Sequence, residues 1–208
     1  EVVPEKPLIA SIAGNSISDL IKLVKLASNS KADAIILNTH CPNFSKHLDS
    51  ELQYHAMKTY AEKPWGVKER YLRVEEQEIE IELLDRFNPN FIVAVNSLGN
   101  ALALDENLKP VLSTVFGALS GPAIKSLAMA NIARYYLAFQ GKIPIIGVGG
   151  INKGINVLEF VAVGASACAV STQHFKEGNQ VFGRILHELK HEMFKRNLKS
   201  VRDAIGIT

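Results

Sequence analysis

The feature that most constrains this chain is a repeat in which a short apolar run is followed by a helix-period segment. The runs Leu8–Ala13, Ala34–Leu37, Pro64–Lys68, Phe91–Val95, Ile143–Gly147 and Ala167–Val170 are the predicted strands. Alternation of this kind predicts parallel strands joined by right-handed crossovers. Three consecutive aliphatics, Ile35, Ile36 and Leu37, predict a strand buried on both faces, as in a parallel sheet covered by helices. A doubly wound open sheet fits the alternation too. Glycine- and hydroxyl-bearing turns after the last two strands favour a (β/α)8 TIM barrel, of which the chain supplies six of eight strand–helix units.

Between the strands, helical spacing over Glu75–Phe87 sends Ile79, Leu83, Leu84 and Phe87 toward the core. Gly99 to Ser113 reads as a loop or short hairpin, and Pro122 sits near the first turn of a helix running to about Phe139. The last helix, about Asn179–Arg196, carries Ile185, Leu186, Leu189 and Met193 as its buried stripe. His187-Glu188-Leu189-Lys190-His191 matches the zinc-protease pattern H-E-x-x-H, but no third ligand is evident and both histidines fall on the helix flank. We read it as a solvated helix face, with no metal.

With 208 residues, 47% of them hydrophobic, the chain can bury one sizeable core. A net charge of +2 with both signs mixed, and no basic stripe interleaved with aromatics, argues against a nucleic-acid partner. No apolar run reaches the length of a membrane span. Cys41 and Cys168 lie far apart without framework spacing, which predicts free thiols in a reducing compartment. The chain starts at Glu1 and runs straight into a strand, so we expect residues 1–208 to be a single domain that is incomplete at its N-terminus.

Polar residues fall at the C-terminal ends of the predicted strands, where barrels build their sites. Asn38, Asn43, Asn96 and Ser97 offer paired donors and acceptors suited to a planar, amide-containing ligand. Lys68 at a strand tip can neutralise developing charge, or can be a solvated lysine beside Glu69 and Arg70. Cys41 is the nucleophile or base candidate among the tips, provided its thiolate is helped to form. Gly149-Gly150 and Ser171-Thr172 each follow a strand and precede a helix, and Ser120-Gly121 could add a third wall. Taken singly each reads as a tight turn; together they suit a phosphate.

At Asn38–Asn43, Gly66-Val67-Lys68, Asn96-Ser97-Leu98-Gly99-Asn100, Gly117–Gly121, Ile146–Ile151 and Gly164–Gly178 the sequence resembles the class 1 dihydroorotate dehydrogenases. Lys199-Ser200-Val201 looks most like their fumarate-using branch. The resemblance implies a cytoplasmic, homodimeric barrel that binds FMN, oxidises dihydroorotate to orotate and passes electrons to an acceptor such as fumarate. It implies that Cys41 takes the substrate's C5 proton while hydride passes to the flavin. Asn38, Asn43, Asn96 and Ser97 match orotate ligands, and Lys68 matches the lysine at the flavin's pyrimidine edge. Ser120, Gly121, Gly149, Gly150, Ser171 and Thr172 match the phosphate and ribityl region. Departures are Thr39-His40 for an aliphatic-Ser pair, a missing Gly-Lys-Pro after Asn43, and Glu69-Arg70 where apolar or proline residues are usual. They leave two further readings open: a non-catalytic paralogue that keeps the scaffold, or an FMN enzyme acting on another dihydropyrimidine.

Overall fold

Each predicted apolar run forms a strand in the computed structural model, which describes residues 6–40 and 48–208. They are β1 (Ile9–Ile12), β2 (Ala34–Asn38), β3 (Trp65–Glu69), β4 (Phe91–Ala94), β7 (Ile145–Val148) and β8 (Ala167–Ala169); β5 (Leu98–Ala101) and β6 (Gly117–Leu119) form a separate antiparallel hairpin. The main sheet has the order β1-β2-β3-β4-β7-β8, and every pairing in it is parallel. Strand order therefore follows chain order without the reversal that defines a doubly wound sheet. This is the winding of a barrel wall, and the six strands are a partial (β/α) barrel.

The connections are helices α1 (Ile17–Ser28), α2 (Ser50–Tyr60), α3 (Val74–Phe87), α4 (Lys125–Phe139), α5 (Gly154–Ala162), α6 (Thr172–Glu177) and α7 (Gln180–Lys195). Short polar side chains start two of them. Ser16 Oγ accepts from the Asp19 amide at 3.1 Å, and Asp49 Oδ1 accepts from the Leu52 amide at 3.0 Å, each satisfying an N–H the helix leaves open. The short α6, directly after β8, was not expected from the sequence.

The sheet buries one face more deeply than the other. Ile35 and Leu37 of β2, Val67 of β3, Ile92 of β4 and Ile145 of β7 are sealed against the helices, together with Leu20, Val24 and Tyr54. Ala34, Ile36 and Asn38, which alternate with Ile35 and Leu37, are only half-buried. The expectation that β2 is buried on both faces is corrected: the inner face of the partial barrel is open enough to leave its side chains part-exposed.

Two helix faces also differ from the periodic expectation. On α3 the buried residues are Gln77, Glu80, Leu84 and Phe87, and Ile79 is 64% exposed. The helix turns a polar pair inward because partners wait there, as described below. On α7, Val181, Ile185 and Leu189 form the buried stripe, while Leu186 is 56% exposed. Glu188 of the H-E-x-x-H match accepts from the Gly154 amide at 2.7 Å and from Arg184 Nη1 at 2.6 Å. That carboxylate closes the start of α5.

One buried side chain holds a connection from two sides. Asn131 of α4 accepts from the Leu72 amide at 2.9 Å and donates to the Leu72 carbonyl at 3.0 Å, fixing the segment between β3 and α3.

Close packing within the sheet generates a test. A Cβ placed on Gly66 of β3 would lie 2.4 Å from the Phe91 ring and 2.6 Å from the Phe91 carbonyl oxygen, whereas one on Gly99 of β5 would meet nothing within 4 Å. Gly66→Ala should lower stability by about 1–3 kcal/mol, the range for overpacking a core. Gly99→Ala should stay within about 0.5 kcal/mol, as expected of a surface change. Chemical denaturation of both variants checks this.

Candidate active site

The parallel register delivers the polar strand tips to one end of the sheet. Asn38 ends β2 and lies opposite Lys68 of β3; Lys68 lies opposite Val93. Val95 and Asn96 follow β4 immediately. Val95 donates to the Val148 carbonyl at 2.8 Å and Asn96 donates to the Glu69 carbonyl at 2.6 Å, so the tips of β3, β4 and β7 are fastened side by side.

Asn96 is the hub of the polar tips. Its amino group donates to Asn38 Oδ1 at 2.9 Å and to the His40 carbonyl at 3.2 Å. Its Oδ1 accepts from the Ser97 amide at 3.0 Å. Asn38 thus gives its carbonyl to the scaffold, and its amino group carries no hydrogen bond among the described residues. The Thr39 hydroxyl donates to the Lys68 carbonyl at 3.2 Å. Having only one proton, it must accept from His40 Nδ1, 2.9 Å away. The unusual Thr39-His40 pair therefore couples β2 to β3 directly below the tips.

A cleft of about 110 Å³ is lined by Lys68, Asn96, Ser97, Ser120, Gly121, Gly149, Gly150, Ser171 and Thr172, with Asn152 and Gln173 beside them. Val95, Pro122, Ile124, Val148, Ile151 and Ala169 complete the lining. Lys68 is the charged lining residue and no carboxylate lines the cleft among the described residues, so the donor set suits an anion. Sequence reasoning missed Asn152 and Gln173. Both lie one or two positions beyond turns it singled out, which was the available signal.

The glycine turns come together here for a steric reason. Gly150 has φ +82° and Gly121 has φ +80°, both in the left-handed region. A Cβ on Gly150 would lie 2.8 Å from the Gly121 carbonyl oxygen and 3.1 Å from Pro122 Cα. The turn after β7 thus rests on the turn that opens α4. The third wall is joined by a hydroxyl contact, Thr172 Oγ1 donating to Ser120 Oγ at 2.9 Å.

Cys41 and Asn43 lie outside the described residues. The other cysteine, Cys168, is free; burial pushes its thiol up to about 12, so it stays protonated and unreactive.

A buried acidic cluster behind this end of the sheet was not expected. Glu69, the residue after Lys68, points to the opposite face and has no solvent exposure. The Tyr54 hydroxyl of α2 bonds to Glu69 Oε1 at 2.7 Å and to Glu80 Oε1 of α3. Glu69 is the most deeply buried carboxyl among the described residues.

Comparison with known proteins agrees with this geometry. A family model described as dihydroorotate dehydrogenase matches residues 1–193. The chain is 33% identical over 218 residues to dihydroorotate dehydrogenase A (fumarate) of Lactococcus lactis subsp. lactis (strain IL1403), covering 99% of this chain and 70% of that protein. It is 32% identical over 216 residues to dihydroorotate dehydrogenase (fumarate) of Saccharomyces bayanus, covering 98% of this chain and 69% of that protein. Among solved structures, DHODH from Eimeria tenella in complex with ferulenol superposes with a TM-score of 0.77 at 22% identity, over 93% of this chain and 58% of that one. The ligand-free Eimeria tenella DHODH gives 0.72 at 21%, over 92% and 60%. The chain thus spans less than two thirds of those solved structures, and their likeness shows the fold. The polar strand tips, the anion-suited cleft and the match across nearly all of its length lead to one conclusion: the chain belongs to the dihydroorotate dehydrogenase family.

Proposed function

We propose that residues 1–208 form one FMN-binding domain that oxidises dihydroorotate to orotate. The observation that carries this reading is the convergence of Lys68, the two glycine turns and the Ser120–Thr172 pair on one cleft without acidic lining. The residues fit the group. Hydroxyls of Ser120, Ser171 and Thr172 and the close-packed backbone at Gly121, Gly149 and Gly150 suit a phosphate and its ribityl chain. The apolar lining suits a flat ring, and Lys68 suits the negative charge such a ring gains on reduction. Bound FMN supplies the hydride acceptor.

The chain's own residues do the rest. Asn38, Asn43, Asn96 and Ser97 hold the planar substrate by its amide and carboxylate edges; the Asn96 amino group is used on Asn38 and the His40 carbonyl, which fixes the side chain and leaves its Oδ1 a second lone pair for the substrate. The Cys41 thiolate accepts the proton from substrate C5 as hydride leaves C6, so the ring loses H⁺ and H⁻ and gains one double bond. Fumarate, which the relatives' names carry, is the electron acceptor in this reading. From the likeness to the fumarate-type relatives we infer a cytoplasmic enzyme. Exposed Leu108, Val111 and Phe116 on the β5–β6 segment support a homodimer as its assembly.

The purified chain should be yellow, and its absorbance should bleach when dihydroorotate is added without oxygen. Colourless protein that cannot be reconstituted with FMN overturns the reading, and bleaching by a different dihydropyrimidine alone reassigns the substrate. Cys41→Ala should keep the flavin but lose roughly 10²–10⁴-fold in the rate of bleaching, the usual worth of a positioned base. Gly150→Ala, which meets the Gly121 carbonyl, should weaken FMN binding by about tenfold or more. Its far-UV circular dichroism should be unchanged, and fluorescence titration reads the affinity.

A further inference from the structure

Glu69, Tyr54 and Glu80 meet from β3, α2 and α3 in a place the proposed reaction does not use. Tyr54 has one hydroxyl proton but two carboxyl oxygens within hydrogen-bonding distance. It can donate to only one of them. The other contact is a hydrogen bond only if that carboxyl carries a proton and donates it to the phenol oxygen. A second proton therefore belongs to the trio. The alternative, two ionised carboxylates sharing one donor with neither reaching solvent, leaves like charges together in a low dielectric.

The neighbours agree. Glu69 Oε2, Gln77 Oε1 of α3 and the Tyr135 hydroxyl of α4 are all buried without a hydrogen-bond partner among the described residues. An ionised Glu69 would leave charge on a buried oxygen with no donor, which the neutral acid avoids. Arg70 is the cation acting on the trio, and it is shared with Glu76, to which it donates at 3.0 Å. One shared guanidinium leaves room for one carboxylate beside it. The phenols do not provide the charge relief, because burial holds both Tyr54 and Tyr135 well above their ordinary range. Burial, then the like charge of Glu80, pushes the Glu69 carboxyl up to about 8.

We propose that Glu69, Tyr54 and Glu80 hold one proton beyond the phenol's own behind the cleft, and that Glu69 is thereby a positioning residue for Asn96. The link is short. The Glu69 carbonyl accepts the Asn96 amide at 2.6 Å, and Asn96 holds Asn38 and the His40 carbonyl. When the proton leaves, two buried carboxylates repel across Tyr54 and the end of β3 loosens, releasing that amide. The folded state keeps a proton the unfolded chain has lost, so this stability is fully present below about 4.5, the ordinary carboxylate value, and is lost as pH rises through about 8.

The consequence for ligand binding rests on the flavin reading above; the proton and the amide do not. Infrared spectroscopy of the full chain near pH 6 should show the carbonyl band of a buried protonated carboxylic acid, shifted in D₂O and vanishing as pH passes about 8. Glu69→Gln should lack the band. Hydrogen exchange over residues 93–97, compared at equal pH, should lose protection above pH 8 in the parent and keep it in Glu69→Gln, where a neutral amide substitutes for the acid. If that variant does not fold, the less buried Glu80→Gln decides, because removing the like charge should move the band's midpoint to lower pH. A band that survives Glu69→Gln, a midpoint unmoved in Glu80→Gln, or equal exchange in parent and Glu69→Gln overturns the proposal. Protein that never binds FMN overturns the flavin reading, and these measurements still decide this one.

Discussion

The register of β2 against β3 is the constraint on which the rest of the structure depends. Asn38 lies opposite Lys68, and side chains alternate between faces along a strand. Lys68 lines the cleft, so Leu37, Val67 and Glu69, on the other face, must face the helices. A slip of one residue would exchange the two sets. The cleft would receive aliphatic side chains and a carboxylate, and the core would receive a lysine and an asparagine. The fully buried Ile35, Leu37 and Val67 hold the register, since each large aliphatic contributes about 1.5–3 kcal/mol by leaving water.

Packing of the turns serves the same end. The turn at Gly149-Gly150 lies so close to Gly121 and Pro122 that a methyl group would not fit between them. Three chain segments far apart in sequence, near residues 121, 150 and 172, line one cleft. Their backbone groups are presented together without a side chain standing in the way. Binding is then prepared by the fold, so little ordering is left for the ligand to impose.

How much of this was legible in the sequence follows from how local each signal is. Ile35-Ile36-Leu37, the cap at Ser16 and the glycine turns carry their reasons within a few residues, so strands, a helix start and the turns that meet at the cleft could be read directly. The chain-order sheet was legible as alternation, yet only the pairing excluded the doubly wound alternative. The inward face of α3 was not legible. Periodicity put Ile79 in the core, whereas Gln77 and Glu80 take that place because Tyr54, Glu69 and Asn131 come to meet them from other elements. A polar residue's burial is decided by partners distant in sequence, which no helical period records. The Glu69-Arg70 departure from the family pattern was visible, and its meaning was not, for the same reason. Cys41 and Asn43 keep only their sequence-based assignment.

The two-sided hold of Asn131 on Leu72 bears on how this chain can change over evolution. An aspartate there could receive the amide but offer nothing to the carbonyl, and a glutamine carries one methylene too many for a buried slot. Each exchange would strand a backbone group, at about 1–3 kcal/mol. Position 131 and the stretch around Leu72 can therefore drift only together, so relatives that shorten or rebuild that stretch should be the ones free to carry another residue on the helix.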